Sequence, residues 1–229
     1  MSSLGIIPAR SGSKGIKDKN IRSLNGKSLI SYTIEHALKS PYIDEVMVST
    51  DSKEYADIAK RYGAKVPFLR SEKNSTDTSK SLDAVFEVLD KYEKLGTYFE
   101  NVIILQPTSP LRTYNDIDGA FELYYKKNAD SVVSVCECEY NPVLSNILPK
   151  NLNLFGFINE KNIIRRQDME CYYRINGAIY ISKVKTLREE KTFYGENSYA
   201  YIMEQIKSVD IDTELDFVYA EFLIKRNII

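Results

Sequence analysis

Short apolar runs alternate with longer stretches in which apolar residues return every third or fourth position. Leu4–Ala9, Glu45–Thr50, Lys65–Leu69, Asn101–Leu105 and Ser131–Cys136 are compact and rich in Ile and Val. That is the pattern of strands buried on both faces. Between them, "SKEYADIAKRYG" sets Tyr55, Ile58, Ala59 and Tyr62 on one helical face, and "SLDAVFEVLDKYEKLG" does so with Leu82, Val85, Phe86, Leu89 and Tyr92. Gly63 and Gly96 stand where these helices should stop. "NDIDGAFELYYKKN" repeats the theme with Ile117, Phe121 and Tyr124. Farther on, "NGAIYIS" and "AYIM" read as strands, and residues 214–226 as a helix with Leu215, Val218, Phe222 and Leu223 on one face. Strand–helix–strand alternation with short connections predicts an α/β fold with a doubly wound, mostly parallel sheet. Ligands of such sheets bind beyond the carboxyl ends of the strands.

The rhythm breaks between residues 139 and 176, where Asn141-Pro142, Leu148-Pro149, scattered aromatics and Arg165-Arg166 occur. A stretch that long without regular patterning usually has a task, such as a substrate loop or a partner-contacting arm. The expected organisation is one domain over 1–229, with 139–176 as an arm inserted in it.

Composition narrows the function. The 229 residues carry 31 Lys and Arg against 32 Asp and Glu, so no overall field favours nucleic acid or an anionic membrane. No apolar run approaches the roughly 20 residues that span a bilayer, and no signal-peptide layout is evident. Three cysteines without framework spacing suggest free thiols and a cytoplasmic setting. The chain has one histidine, His36, which excludes an H-E-x-x-H metal site and reads best as a structural helix residue. Catalysis must then rest on carboxylates, lysine or a metal ion.

Against this neutral background, "IIPARSGSKGIKDKN" at 6–20 concentrates positive charge directly behind the first strand. Ser11, Gly12, Ser13 and Gly15 permit a turn whose N–H groups converge on an anion, and Arg10, Lys14 and Lys19 can neutralise phosphate oxygens. A solvated basic loop is the equal alternative. Gly26-Lys27-Ser28 ends like a Walker loop, but Ile21 occupies the position that requires glycine. In "VDIDTELD", Asp210 and Asp212 alternate on a strand-like stretch and share a face, which suits Mg²⁺. The plainer reading is a helix cap built by Thr213 and Asp216. "LQPTSPLR" places Gln106, Thr108, Ser109 and Arg112 at the sheet's carboxyl edge, and Arg166 and Arg174 are candidates to meet a carboxylate.

These segments, with "STD" at 49–51, "TDTS" at 76–79 and "RRQ…RINGAIYI", resemble in order and spacing the bacterial CMP-sialic acid synthetases, or acylneuraminate cytidylyltransferases. The resemblance spans nearly the whole chain. It implies a nucleotide-diphospho-sugar transferase-like (Rossmann-like) fold with a dimerisation arm, working as a cytoplasmic homodimer. The reaction it implies moves CMP from CTP to the 2-hydroxyl of N-acetylneuraminate or a related nine-carbon α-keto acid sugar, releasing pyrophosphate. By resemblance Arg10, Ser11, Gly12, Ser13, Lys14, Gly15, Lys19 and Asn20 serve the nucleotide, joined by Arg70, Asp77 and Ser79. Arg10, Lys14, Lys19 and Asp212 are the expected catalytic groups. Gln106, Arg166, Arg174, Asn176 and Tyr180 fall on the sugar side, and Asp210 and Asp212 hold Mg²⁺ or Mn²⁺. Phe193 or Tyr194 matches an aromatic that reaches the partner's sugar pocket. Many members carry His-Pro where this chain has Asn141-Pro142, which leaves legionaminate and pseudaminate as alternative acceptors. An octulosonate acceptor fits less well, and a nucleotide-binding protein without turnover is the reading from another class.

Overall fold

The computed structural model describes residues 2–12, 15–76, 79–158, 165 and 169–228. The chain runs β1 (Ser3–Pro8), a small hairpin of β2 (Ser23–Leu24) and β3 (Lys27–Ser28), α1 (Leu29–Lys39), β4 (Glu45–Ser49), α2 (Lys53–Arg61) and α3 (Ser81–Lys94). It continues through β5 (Asn101–Leu105), α4 (Tyr114–Lys126), β6 (Ser131–Glu137), β7 (Tyr173–Lys183), α5 (Val184–Glu190), β8 (Ser198–Ile202) and α6 (Glu214–Lys225). Six strands form one sheet in the order β4-β1-β5-β7-β6-β8. The pairs β1–β4, β1–β5 and β6–β8 are parallel, while β7 runs antiparallel to both β5 and β6.

Burial on both faces explains the unbroken apolar runs. In β1, Ile7 joins a core with Ile30 and Ile34 of α1, Tyr55 and Ala59 of α2, and Ile117 and Phe121 of α4. Leu4 and Ile6 point the other way, onto Val85, Val88 and Leu89 of α3 and Leu187 of α5. A third cluster seats α6 at the carboxyl end of the sheet through Phe217, Ala220 and Leu223 against Ile16, Leu24, Leu111 and Ile211. That cluster ties the opening loop to the final helix.

Two expectations need correction. The segment 65–69 is not a strand; only Lys65 bridges, to Met47. Lys65 donates to Val46 and accepts from Val48. Pro67 then has no N–H with which to continue the ladder. The buried face of α6 is also largely not the one expected: Leu223 is buried as expected, but Leu215, Val218 and Phe222 are 77%, 60% and 49% exposed. Both faces of this helix are apolar, so periodicity alone could not say which one packs. The antiparallel β7, wedged between β5 and β6, is a third departure from simple alternation. Among its described residues the long preceding connection has no α-helix to enforce a right-handed parallel crossover.

His36 behaves as the structural residue expected. Its Nδ1 accepts the Tyr114 N–H at 3.2 Å. Burial, reinforced by the Arg112 and Lys39 charges, pushes its pKa down to about 4, with Glu35 and Asp116 opposing. The unfolded chain takes up this proton below about pH 6.5. The folded chain declines it until about pH 4, so stability falls as pH drops through that window. His36→Gln should remove on the order of 2 kcal/mol of this acid loss. Thermal midpoints of both proteins across the window check it; parallel pH curves would refute it.

Candidate active site

The loop leaving β1 turns at Gly12, whose φ of +73° is open to glycine and costly for other residues. Ser11 anchors it: its N–H donates to Asp51 Oδ1 at 2.7 Å and its Oγ to Oδ2 at 2.8 Å. Asp51, at the carboxyl end of β4, had no assigned role in the sequence reading. Here it braces the basic loop. Asn20 is buried, and its Nδ2 donates to the Arg10 carbonyl at 3.3 Å while its Oδ1 has no partner. A buried unmatched acceptor beside an anion loop is an offered hydrogen-bonding position.

Arg10, Arg70, Ser79 and Gln106 line one cavity of about 170 Å³, together with Asn74, Thr76, Lys80 and Ser81. Arg70 is fixed by its Nε on Ser49 Oγ (3.0 Å) and its Nη2 on the Ser49 carbonyl (2.7 Å). Burial lowers its pKa, with Arg10 adding to the fall and Asp51 and Glu87 resisting it. The guanidinium is thus held rigidly at a cleft already rich in positive charge, suited to an anionic ligand. Gln106, expected on the sugar side, lines the same cavity as Arg10 and Arg70. Ser13, Lys14, Asp77 and Arg166 lie outside the described residues.

The two ends of the chain meet here. Lys19 Nζ donates to the Ile211 carbonyl at 2.6 Å and to Asp212 Oδ1 at 2.9 Å. Gly15 lies so near the 210–212 segment that a Cβ on it would sit 2.6 Å from the Asp212 carbonyl oxygen. Gly15 is therefore needed for close approach. Gly15→Ala should push the loop and the aspartates apart and lower kcat/KM about a hundredfold. Steady-state kinetics with thermal melting checks it; a folded variant with normal kcat/KM would be the contrary result.

Asp210 and Asp212 flank the buried Ile211, whose N–H donates to the Thr108 carbonyl at 2.9 Å. Both carboxylates are exposed, as the alternation predicts. The helix cap is real but uses other atoms. Asp216 accepts from Thr213 N–H (2.7 Å), Thr213 Oγ1 (2.8 Å) and Asp212 N–H (3.1 Å), and so closes a capping box. The helix-cap reading of "VDIDTELD" therefore holds, and it leaves the side chains of Asp210 and Asp212 outside the cap. Partial desolvation raises the carboxyl pKa of Asp210, and the charges of Asp212 and Asp216 add to that. Thr108 and Lys19 counter it. Two carboxylates that repel each other across a cleft would be relieved by a shared cation. No cluster of three or more His, Cys, Asp or Glu suited to a metal exists among the described residues. A cation here would have two carboxylates and complete its shell with water and phosphate oxygens, which fits Mg²⁺.

Arg174, Asn176 and Tyr180, the remaining positions expected on the sugar side, have partners within the chain. Arg174 is forked onto Glu139 (2.7 Å and 3.2 Å), so its guanidinium already has a carboxylate. This pair borders a cavity of about 590 Å³ that also reaches Asp210 and Tyr219. Asn176 is buried; its Nδ2 donates to Ser208 Oγ at 2.8 Å and its Oδ1 accepts from Ser134 Oγ at 2.6 Å. Its amide is spent on holding β6 and β7 to the 208 turn. Tyr180 is half-buried, and burial first, then Tyr194 and Asp210, push its pKa up to about 12. Phe193 is buried against Tyr180, with ring centroids 5.3 Å apart, and serves this chain's own core. Tyr194 is exposed. Arg112, expected at the cleft surface, is fully buried. It donates to the carbonyls of Gln106 (3.1 Å) and Ala178 (2.9 Å) and to Thr33 Oγ1 (2.7 Å). It shapes the site from behind.

Comparison with known proteins finds similarity to cytidylyltransferases. The cytidylyltransferase family model matches residues 4–227. A CMP-N,N'-diacetyllegionaminic acid synthase of Legionella pneumophila is 41% identical over 234 residues, covering 99% of this chain and 98% of its own. An N-acylneuraminate cytidylyltransferase of Streptococcus agalactiae is 39% identical over 96% of this chain, which spans 52% of that longer protein. A pseudaminic acid cytidylyltransferase of Campylobacter jejuni is 34% identical, covering 99% of this chain and 98% of its own. Among solved structures, a CMP:2-keto-3-deoxy-manno-octonic acid synthetase complexed with CTP superposes with a TM-score of 0.76 at 16% identity, covering 99% and 100% of the two chains. A 4-diphosphocytidyl-2C-methyl-D-erythritol synthase from Anaerococcus prevotii gives 0.67 at 14% identity, covering 98% and 99%. These structural likenesses show the nucleotide-diphospho-sugar transferase fold expected from the sequence.

Proposed function

Because the chain belongs to the cytidylyltransferase family, we propose that it transfers CMP from CTP to the 2-hydroxyl of N-acetylneuraminate or a closely related nine-carbon α-keto acid sugar. The observation that carries this is the meeting of the basic loop with the aspartate segment, through Lys19 on Asp212 and Gly15 against its carbonyl. In the reaction the sugar oxygen bonds to the α-phosphorus, the bond to the bridging oxygen breaks, and pyrophosphate leaves with that electron pair. The hydroxyl proton passes to solvent. Arg10 and Lys19 balance negative charge on the triphosphate, and Arg70 and Ser79 border the cavity that receives the cytidine. Asp210 and Asp212 would hold Mg²⁺ or Mn²⁺, which supplies Lewis-acid stabilisation of phosphate oxygens and a lower pKa for the attacking hydroxyl. His36, engaged by Tyr114, is not needed as a base.

The arm supports a homodimer. Its described part exposes Tyr140, Ile147, Leu152 and Phe155, apolar surface that a second copy would cover. Tyr194, rather than the buried Phe193, is the aromatic able to reach a partner. Free Cys136, Cys138 and Cys171 suit a cytoplasmic protein. A second acceptor, the legionaminate class, is favoured by Asn141 in the arm and by the end-to-end similarity to the Legionella synthase.

The test is pyrophosphate release from CTP and Mg²⁺ with N-acetylneuraminate, legionaminate and pseudaminate in parallel. Release that requires both sugar and metal is expected, with kcat/KM ranking the acceptors. No release with any of them, at a concentration that sustains a dimer, rejects the reading.

A further inference from the structure

Lys19 and the proposed metal compete for one carboxylate. The Lys19 ammonium is on Asp212 Oδ1 at 2.9 Å and on the Ile211 carbonyl at 2.6 Å. Its side chain is only 13% exposed, whereas that of Asp212 is 74% exposed. The lysine thus approaches from inside the protein, backed by the loop whose Gly15 rests on the same residue's carbonyl. It is more constrained than an ordinary surface ion pair, whose long side chains lose entropy to meet.

We propose that Lys19 is a placeholder: its ammonium occupies the cation position at Asp212 until a triphosphate draws it away, so that metal and nucleotide binding are coupled. The inference rests on the cytidylyltransferase reading above. An ammonium and a divalent cation cannot occupy the same carboxylate oxygen, and at contact distance their charges repel even with solvent screening. Removing Lys19 from Asp212 with nothing in exchange leaves a partly buried ammonium without its anion. The phosphate chain supplies that exchange, because Lys19 belongs to the loop that receives it. Asp212 is then free for the metal, and the phosphate oxygens complete the metal's shell. By linkage, each ligand raises the other's affinity by the same factor. The site is therefore guarded against occupation by a metal ion alone.

The probe is Mn²⁺ without nucleotide, followed by the free-ion paramagnetic resonance signal. Lys19→Met should bind Mn²⁺ about tenfold more tightly than the unaltered protein, and Lys19→Gln should match it. Adding Asp212→Asn to Lys19→Met should abolish the gain. Lys17→Met removes the same charge from an exposed neighbour and should change Mn²⁺ affinity little. Equal affinities for the unaltered protein and both Lys19 variants would overturn the placeholder, as would an equal gain in Lys17→Met. These outcomes are independent of the pyrophosphate assay. Turnover with unchanged Mn²⁺ affinity in the Lys19 variants sinks the placeholder alone, and absence of turnover in the unaltered protein sinks the enzymatic reading.

Discussion

Asp212→Asn is expected to lower kcat for pyrophosphate release by on the order of a thousandfold. The substitution keeps the shape of the side chain and removes its charge. Three consequences converge. The proposed metal loses one of two protein carboxylates, Lys19 keeps only the Ile211 carbonyl, and the cleft loses the anion that orders the basic loop. The fold should survive, because the cap of α6 is made by the side chains of Thr213 and Asp216. The Ile211 N–H also remains on Thr108. A decisive comparison is kcat alongside the thermal midpoint: low turnover with an unchanged midpoint places the loss in chemistry. Near-normal turnover would remove Asp212 from the mechanism and transfer the weight to Asp210.

The second large effect concerns stability. Arg112→Met should destabilise the protein by about 3 kcal/mol or more, because buried acceptors left unmatched cost about 1–3 kcal/mol each. The Ala178 carbonyl and the Thr33 hydroxyl lose their donor at one stroke, while the Gln106 carbonyl keeps the Ser109 N–H and the Thr33 hydroxyl. Burial lowers the guanidinium pKa to about 9, with Asp116 resisting, so Arg112 remains cationic at neutral pH. Its value lies in a rigid planar fork that reaches three acceptors on α1, the loop after β5, and β7. Lys cannot reproduce that fork, and Arg112→Lys should recover only part of the loss. Urea unfolding of the variants measures it. If both variants unfold at the midpoint of the unaltered protein, Arg112 does not fasten these elements.

Both expectations concern residues whose types were visible in the sequence but whose partners were not. "LQPTSPLR" presented four polar side chains that looked equivalent. Packing sends Arg112 inward and Gln106 to the cavity lined by Arg10 and Arg70, while the main chain of Thr108 anchors Ile211. Asn176 offered an amide that suits a sugar, yet the bend at Gly177 (φ +76°) and the contacts of Asn176 with Ser134 and Ser208 turn it into a brace. Glu139 drew no notice in the irregular stretch, because nothing local marks a carboxylate that will pair with Arg174. Asp51 appeared only inside a motif, and its support of Ser11 depends on β1 and β4 being neighbours.

Local rules carried what depends on a few consecutive residues. Buried apolar runs specified β1, β4, β5 and β6, and helical periodicity specified α2, α3 and α4, with stopping glycines after the first two. The alternation of Asp210 and Asp212 about a buried Ile211 was legible for the same reason: side-chain direction along an extended backbone repeats every second residue. Tertiary structure alone decided the antiparallel placement of β7 and the buried face of α6, whereas Pro67 marked the loss of the expected strand at 65–69 within the sequence itself. It also decided that Lys19 finds Asp212 across most of the chain's length. Such outcomes are set by which surfaces compete for the same neighbours, and that competition involves residues far apart in sequence.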